Sequence, residues 1–190
     1  MKKEIRNVPA DAPKTAEDSI KEVMNSADAL VANTAKFESA GFSPAQAKVL
    51  LYAQSKGLTT EFLENVNLSV RQMIVIIIGK QTGVDVSVYA DCAYTAEQMT
   101  EIRLGLKSGL EVGIYCNSAF SAQQMQQIRY GLLQGIDVRV YASQDYSVEQ
   151  MRELRLGMED GVDMLGVANP TLSVELMREH RSKCQELSIF

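Results

Sequence analysis

Three arginines recur at one fixed interval in the middle of the chain: Arg103, Arg129 and Arg155. A guanidinium keeps its charge and offers five donors in a planar fork, which suits phosphates and carboxylates. One interpretation is structural, with each stem lying on apolar neighbours and each head reaching the acid that begins the next short segment. Those acids are Glu111, Asp137 and Asp163. The alternative is an arginine stripe that grasps phosphates or an acidic peptide.

Three tyrosines form a second series at the same interval: Tyr89, Tyr115 and Tyr141. Stacked tyrosines could hold bases or a peptide. The next member of the series is Val167, and a position that accepts valine favours a core residue with its hydroxyl at the rim.

Residue types that would indicate an enzyme are sparse. His180 is the one histidine, and the three cysteines, Cys92, Cys116 and Cys184, have no metal-ligand spacing. The glycines fit neither GxGxxG nor GxxxxGK. We therefore expect no catalytic activity, no cofactor and no metal, and we read Cys116 as a buried space-filler in a slot held elsewhere by alanine.

The elements that position these side chains repeat with the same period as the arginines. Each repeat begins with a hydroxyl residue suited to cap a helix: Ser43, Ser69, Thr95, Ser121, Ser147 and Ser173. Except in the last repeat, which has Leu176, a glutamine follows three positions later and can close a capping box: Gln46, Gln72, Gln98, Gln124 and Gln150. A glycine suited to end the helix follows in five repeats: Gly57, Gly83, Gly109, Gly135 and Gly161.

The short segment after each helix is ambiguous. Valines alternate in it with the period of a strand, which would give an α/β leucine-rich-repeat-like horseshoe. The residues that recur best, such as Val138, Tyr141 and Ala142, have offsets of zero, three and four, which favours a short helix. We predict an all-α solenoid of six units, each a long and a short helix.

Four regions follow from these patterns. Residues 1–14 read as a flexible arm, 15–40 as an amphipathic helix that caps the array, 41–186 as the helical repeats, and 187–190 as an apolar tail. A second glycine series, Gly79, Gly105, Gly131 and Gly157, lies inside the repeat helices and predicts a close backbone approach by the next short helix.

The composition, with 46% hydrophobic and 23% charged residues, is that of a globular protein. The net charge of −5 argues against nucleic acid or an anionic membrane as the default partner. The sequence shows neither a secretory signal nor a membrane-spanning run, so we expect a cytoplasmic protein.

The stretches QMTEIRLGLKSGLEVGIYC, QMQQIRYGLLQGIDVRVYA and QMRELRLGMEDGVDMLGVA resemble the QMxxIRxGLxxGxDVxxYA repeats of proteins from anaerobic gut bacteria and their mobile elements. The resemblance covers residues 41–180 and implies helical repeats. It carries no established activity that could be transferred to residues here.

Stacked helical repeats favour a binding module for an unknown protein partner. A nucleic-acid reader that uses the arginines and tyrosines, and an inhibitor of a host protein, are the alternatives. The candidate contact residues are the three arginines and the positions that vary most between repeats: Arg103, Arg129, Arg155, Gln123, Gln126, Gln127, Gln134 and Arg139.

Overall fold

The computed structural model describes residues 21 and 34–187, and no strand occurs among them. The α-helices are α1 (Ala35–Ser39), α2 (Pro44–Ser55), α3 (Val70–Gln81), α4 (Ala96–Lys107), α5 (Ala122–Leu133), α6 (Val148–Glu159) and α7 (Val174–Leu187). One-turn 3₁₀ helices lie between them at Glu61–Leu63, Val86–Val88, Val112–Ile114, Val138–Val140 and Leu165–Val167. The all-α prediction is confirmed, and the α/β horseshoe is wrong for this part of the chain.

The short segments are 3₁₀ turns because of where their apolar residues fall. The amide of Tyr141 donates to the carbonyl of Val138 at 2.9 Å, and both side chains are buried. With three residues per turn, positions three apart lie on the same side, so both point inward while Arg139 between them is exposed. The offset of three, not the alternation of valines, was the informative pattern.

The predicted capping boxes form at every repeat helix that carries the glutamine. At α5 the Ser121 hydroxyl accepts from the Gln124 amide at 3.1 Å, and the Gln124 side chain accepts from the Ser121 amide at 2.8 Å. The same reciprocal pair begins four other helices, at Ser43, Ser69, Thr95 and Ser147. These starts are local, and the sequence predicted them correctly.

The capping glutamines also join one repeat to the next, which the sequence analysis did not predict. Besides closing its own box, Gln98 donates through Nε2 to the carbonyls of Ser118 at 2.9 Å and Phe120 at 2.5 Å. Those carbonyls lie in the turn before α5. Equivalent bonds are made by Gln46, Gln124 and Gln150 to carbonyls 20 and 22 positions further on.

Helix ends follow the predicted glycine pattern. At the end of α4, Gly109 has φ of +68°, a conformation that costs a side-chain-bearing residue energy. The Leu110 amide then donates back to the Gly105 carbonyl at 3.0 Å, as in a Schellman motif. The helix therefore ends at this glycine, where the chain turns toward the next 3₁₀ segment.

The chain divides into two compact units, Met1–Ile77 and Ile78–Phe190. In the first, α1 packs on α2, and the Phe37 and Phe42 rings meet edge to face with centroids 6.3 Å apart. In the second, α4 packs on α5, α5 on α6 and α6 on α7. Two apolar columns fill that second core: Met99, Met125, Met151 and Met177, and Ile102, Ile128 and Leu154.

The glycines inside the repeat helices make room for side chains. A Cβ built on Gly131 would overlap the Tyr141 hydroxyl oxygen and lie 2.7 Å from Val138 Cγ1. Gly79 and Gly105 face the equivalent tyrosine and valine of their own 3₁₀ helix. The prediction of a close backbone approach is wrong, because the atoms nearest to these glycines belong to side chains of the short segment.

Several predicted regions lie outside the described residues. These are the arm (1–14), most of the capping helix (15–40) and positions 188–190 of the apolar tail. The described end of the predicted capping helix, Ala35–Ser39, is helical.

Candidate partner-binding surface

The three recurring arginines, which we call the arginine ladder, are buried at Arg103 and Arg129 and half-buried at Arg155. On α5, Arg129 Nε lies 2.7 Å from Oε2 of Glu101 on α4, and both side chains are almost fully enclosed. The partner is therefore an acid on the preceding helix. The expectation that each arginine reaches forward to Glu111, Asp137 or Asp163 is wrong for Arg129, because its guanidinium points into the seam between α4 and α5.

Arg155 repeats this geometry with a neutral partner. Its Nε donates to Gln127 Oε1 at 3.0 Å, again on the preceding helix, and an ion pair with Glu159 on its own helix supplies the negative charge. Gln127 is only 7% exposed. The expectation that Gln127 is exposed is therefore wrong, and its side chain lies in the seam.

A fourth arginine continues the ladder. Arg181 on α7 donates to Glu153 Oε2 at 2.9 Å, and Arg178 donates to Glu153 Oε1 at 3.1 Å. Sequence reasoning missed this rung although the signal was present. Arg181 follows Arg155 by the repeat length, and Met-Arg-Glu-His-Arg in α7 matches Met-Arg-Glu-Leu-Arg in α6.

Arg103 occupies the same repeat position as Arg129 and Arg155, but its Nε makes no hydrogen bond. It is 8% exposed, and its Nε is buried without a hydrogen-bond partner, as is the Tyr89 hydroxyl. Burial lowers the pKa of the Arg103 guanidinium, opposed by the nearby Tyr89 and Glu101. One repeat before Glu101, the corresponding position on α3 is Val75, which has no side-chain acceptor.

The three recurring tyrosines, Tyr89, Tyr115 and Tyr141, also lie in the core. Tyr115 donates its hydroxyl to the Glu101 carbonyl at 3.2 Å, and Tyr141 donates to the Gln127 carbonyl at 3.4 Å. Burial raises the pKa of both phenols, and also that of Tyr89. None of these rings is open for a base to stack on. The arginines and tyrosines on which the nucleic-acid reading depended are thus structural, with Arg103 and Arg129 both buried.

Three of the predicted contact residues meet on one exposed stripe of α5. Gln123 and Gln134 are exposed and Gln126 is half-buried. Between them lie Tyr130 and Leu133, which the sequence analysis did not select and which are 37% and 39% exposed. We call these five residues the α5 outer face. Their spacing of three and four residues places them on one side of the helix.

Tyr130 is held in place by the ladder beneath it. The Arg129 guanidinium carbon lies 4.8 Å from the centre of the Tyr130 ring, and that of Arg155 lies 5.6 Å from it. A cation over an aromatic face is attractive at these distances. The ring is therefore fixed at the surface by charges that are themselves fixed, so ordering it on binding costs little entropy.

Arg139, the remaining predicted contact residue, lies apart from this face. It is exposed on the 3₁₀ helix Val138–Val140, with its Nε 3.9 Å from Asp137 Oδ1. The structure thus separates the predicted residues into a buried seam, the α5 outer face, and one arginine at the edge formed by the short helices.

Other reactive groups of the described residues form no recognisable site. His180 Nε2 lies 2.8 Å from the Asp163 carbonyl oxygen and 3.7 Å from Cys184 Sγ, a cysteine neighbour that the sequence analysis overlooked. Cys116 was expected to be buried, but it is half-buried, with its Sγ 3.4 Å from the Tyr94 hydroxyl. Over residues 34–187 no three His, Cys, Asp or Glu side chains are grouped as metal ligands.

Within the same residues no helix has the length and apolar character needed to cross a membrane. Comparison with known proteins gives no match to a family model, a curated protein or a solved structure.

Proposed function

We propose that the protein is a non-catalytic helical-repeat scaffold that binds a protein partner through the α5 outer face. The observation that carries the proposal is the contrast between the two sets of side chains. The side chains that recur from repeat to repeat hold neighbouring helices together and are not available to a partner. Tyr130 and Leu133 of α5, in contrast, are exposed.

The chemistry of the α5 outer face suits a protein partner. Tyrosine is enriched among residues that dominate binding energy, because it offers a large, stiff and amphipathic surface. The amides of Gln123, Gln126 and Gln134 can donate and accept around such a centre, as in the polar rim of many interfaces. The face carries no charge that would attract phosphates.

The proposal includes the architecture expected from the sequence, in which six units of equal length stack into one solenoid with the face on its fourth long helix. The packing of α4 through α7, each on the next, supports this arrangement. The resemblance to repeats of gut bacteria and their mobile elements supports it from motifs alone. A host protein inhibited by such an element is one form that the partner could take.

The test is affinity capture from an extract of the native host with three forms of the full chain. These are the wild type, the double variant Tyr130→Glu/Leu133→Glu, and the matched control Leu104→Glu/Lys107→Glu. The control changes the positions one repeat earlier on α4. We expect a set of captured proteins common to wild type and control and missing from the α5 variant. Loss from both variants alike, or from neither, would contradict the proposal.

A further inference from the structure

Among the described α-helices, only α5 has no charged residue outside the core. Arg129 is the single charged residue of Ala122–Leu133, and it is buried. Each of the other helices has at least one exposed or half-buried charged side chain, as the following examples show: Lys36, Lys48, Arg71, Glu97, Glu149 and Glu175. The α5 outer face is thus an uncharged surface between the charged outer positions of α4 and α6.

An uncharged face has a particular consequence for self-association. In a two-fold dimer the same patch of both copies meets, so a residue near the axis lies close to its own counterpart. A charge there faces a like charge, which is destabilising. The net charge of −5 also makes two copies repel each other in general. Of the described helices, α5 is the one on which this repulsion is least.

The residues of the face can also complement themselves. Glutamine amides both donate and accept, so Gln123 and Gln126 can bond to an identical surface. If two α5 helices pair antiparallel about a point between Gln126 and Tyr130, each Gln126 lies opposite the Tyr130 of the second copy. Gln123 then lies opposite Leu133. Tyr130 and Leu133 of one copy then each meet a flexible glutamine side chain of the other copy.

We infer that the partner of the α5 outer face is a second copy of this chain, in a two-fold dimer. This inference rests on the proposed function and narrows it to one partner.

The experiment is sedimentation velocity of the full chain over a concentration series. Wild type is compared with Tyr130→Glu and Tyr130→Lys, each alone and mixed in equal amounts, and with the control Leu104→Glu. We expect wild type and control to dimerise. Each Tyr130 variant alone should raise the dimer dissociation constant about tenfold or more, as for a residue at the centre of an interface. The mixture should recover dimer, because opposite charges then meet near the axis.

Circular dichroism melting of each form shows that a loss of dimer is not a loss of fold. Wild type that stays monomeric throughout the series would overturn the inference, and so would a dimer that both Tyr130 variants leave intact. If wild type is monomeric but captures a host protein that Tyr130→Glu does not, the inference fails while the proposed function stands. If it dimerises through Tyr130, both stand.

Discussion

The guanidinium of Arg129 on α5 reaches back to the carboxylate of Glu101 on α4, with Nε and Oε2 2.7 Å apart and both groups buried. This pair shows the role of the charged residues that recur from repeat to repeat. They lie in the seam between neighbouring helices, and the residues available to a partner are those outside it.

The first prediction concerns this pair. Arg129→Met leaves the Glu101 carboxylate buried without its cation, so we expect a loss of about 3 kcal/mol or more in the free energy of unfolding. Adding Glu101→Leu should restore a large part of that loss, since no buried charge remains. Urea unfolding of the two single variants and the double variant measures the coupling. Strictly additive losses would show that the two groups do not interact.

The second prediction compares Arg129 with Arg103. Both arginines are buried at equivalent repeat positions, but the Nε of Arg103 has no hydrogen-bond partner. Replacing a donor that is already unsatisfied removes a desolvation penalty along with the charge. Arg103→Met should therefore cost clearly less than Arg129→Met in the same urea measurement. An equal or larger cost would mean that Arg103 makes a stabilising contact through its remaining atoms.

The third prediction concerns the glutamine that joins two repeats. Gln98→Leu removes one half of a capping box and two bonds to the carbonyls of Ser118 and Phe120. Because the bond to Phe120 is buried and the bond to Ser118 is partly buried, we expect a loss of about 2 kcal/mol or more. Gln123→Leu, an exposed glutamine of the next repeat, should change stability by no more than about 0.5 kcal/mol. Similar effects at both sites would argue against the second role of Gln98.

The fourth prediction uses two glycines of one series. A Cβ at Gly131 meets the rigid Tyr141 ring and Val138, whereas the three atoms nearest to a Cβ at Gly157 all belong to Met164, with its Cγ at 2.6 Å. Methionine can move aside through three rotatable bonds, and tyrosine cannot. Gly131→Ala should therefore lower the melting temperature more than Gly157→Ala, and Tyr141→Phe should partly rescue Gly131→Ala. Gly131→Leu should likewise be worse than Gln126→Leu. No rescue by Tyr141→Phe would exclude the hydroxyl as the cause.

The fifth prediction is an alkaline loss of stability. Burial raises the pKa of Tyr141, opposed by the charge of Arg155, above the ordinary value of about 10. A raised phenol pKa contributes stability that is fully present below pH 10 or so and is lost as the pH rises toward the folded-state pKa. Each such tyrosine adds a slope of about 1.4 kcal/mol per pH unit in that window. Tyr141→Phe should remove one such contribution, measured by urea unfolding from pH 9 upward, and an unchanged slope would contradict it.

The sequence predicted the starts and stops of the helices well because those signals act within one helical turn. Ser121 and Gln124, or Gly109 and Leu110, need only each other to form their bonds. The short segments were predicted to be helical because Val138 and Tyr141 keep the spacing of one turn.

Contacts between repeats were predicted poorly because they depend on how the helices stack. The residue that Arg129 meets is fixed by the offset between α4 and α5, which the repeat length does not reveal. A column of Glu101, Gln127 and Glu153, each two positions before an arginine, was visible in the sequence. It was overlooked because Gln127 was selected as a contact residue for its variation between repeats. A position between two packed helices can also vary, because glutamine and glutamate both supply a hydrogen-bond acceptor.

The most direct test of the binding surface is photo-crosslinking with a benzophenone amino acid placed at Gln123 or, separately, at Arg139. Both positions were candidate contact residues and both are exposed, but only Gln123 belongs to the α5 outer face. In an extract of the native host we expect a discrete crosslinked species from position 123, either to a host protein or to a second copy of the chain, and none from position 139. Crosslinking from position 139 alone would place the binding surface at the edge formed by the 3₁₀ helices and contradict the assignment to α5.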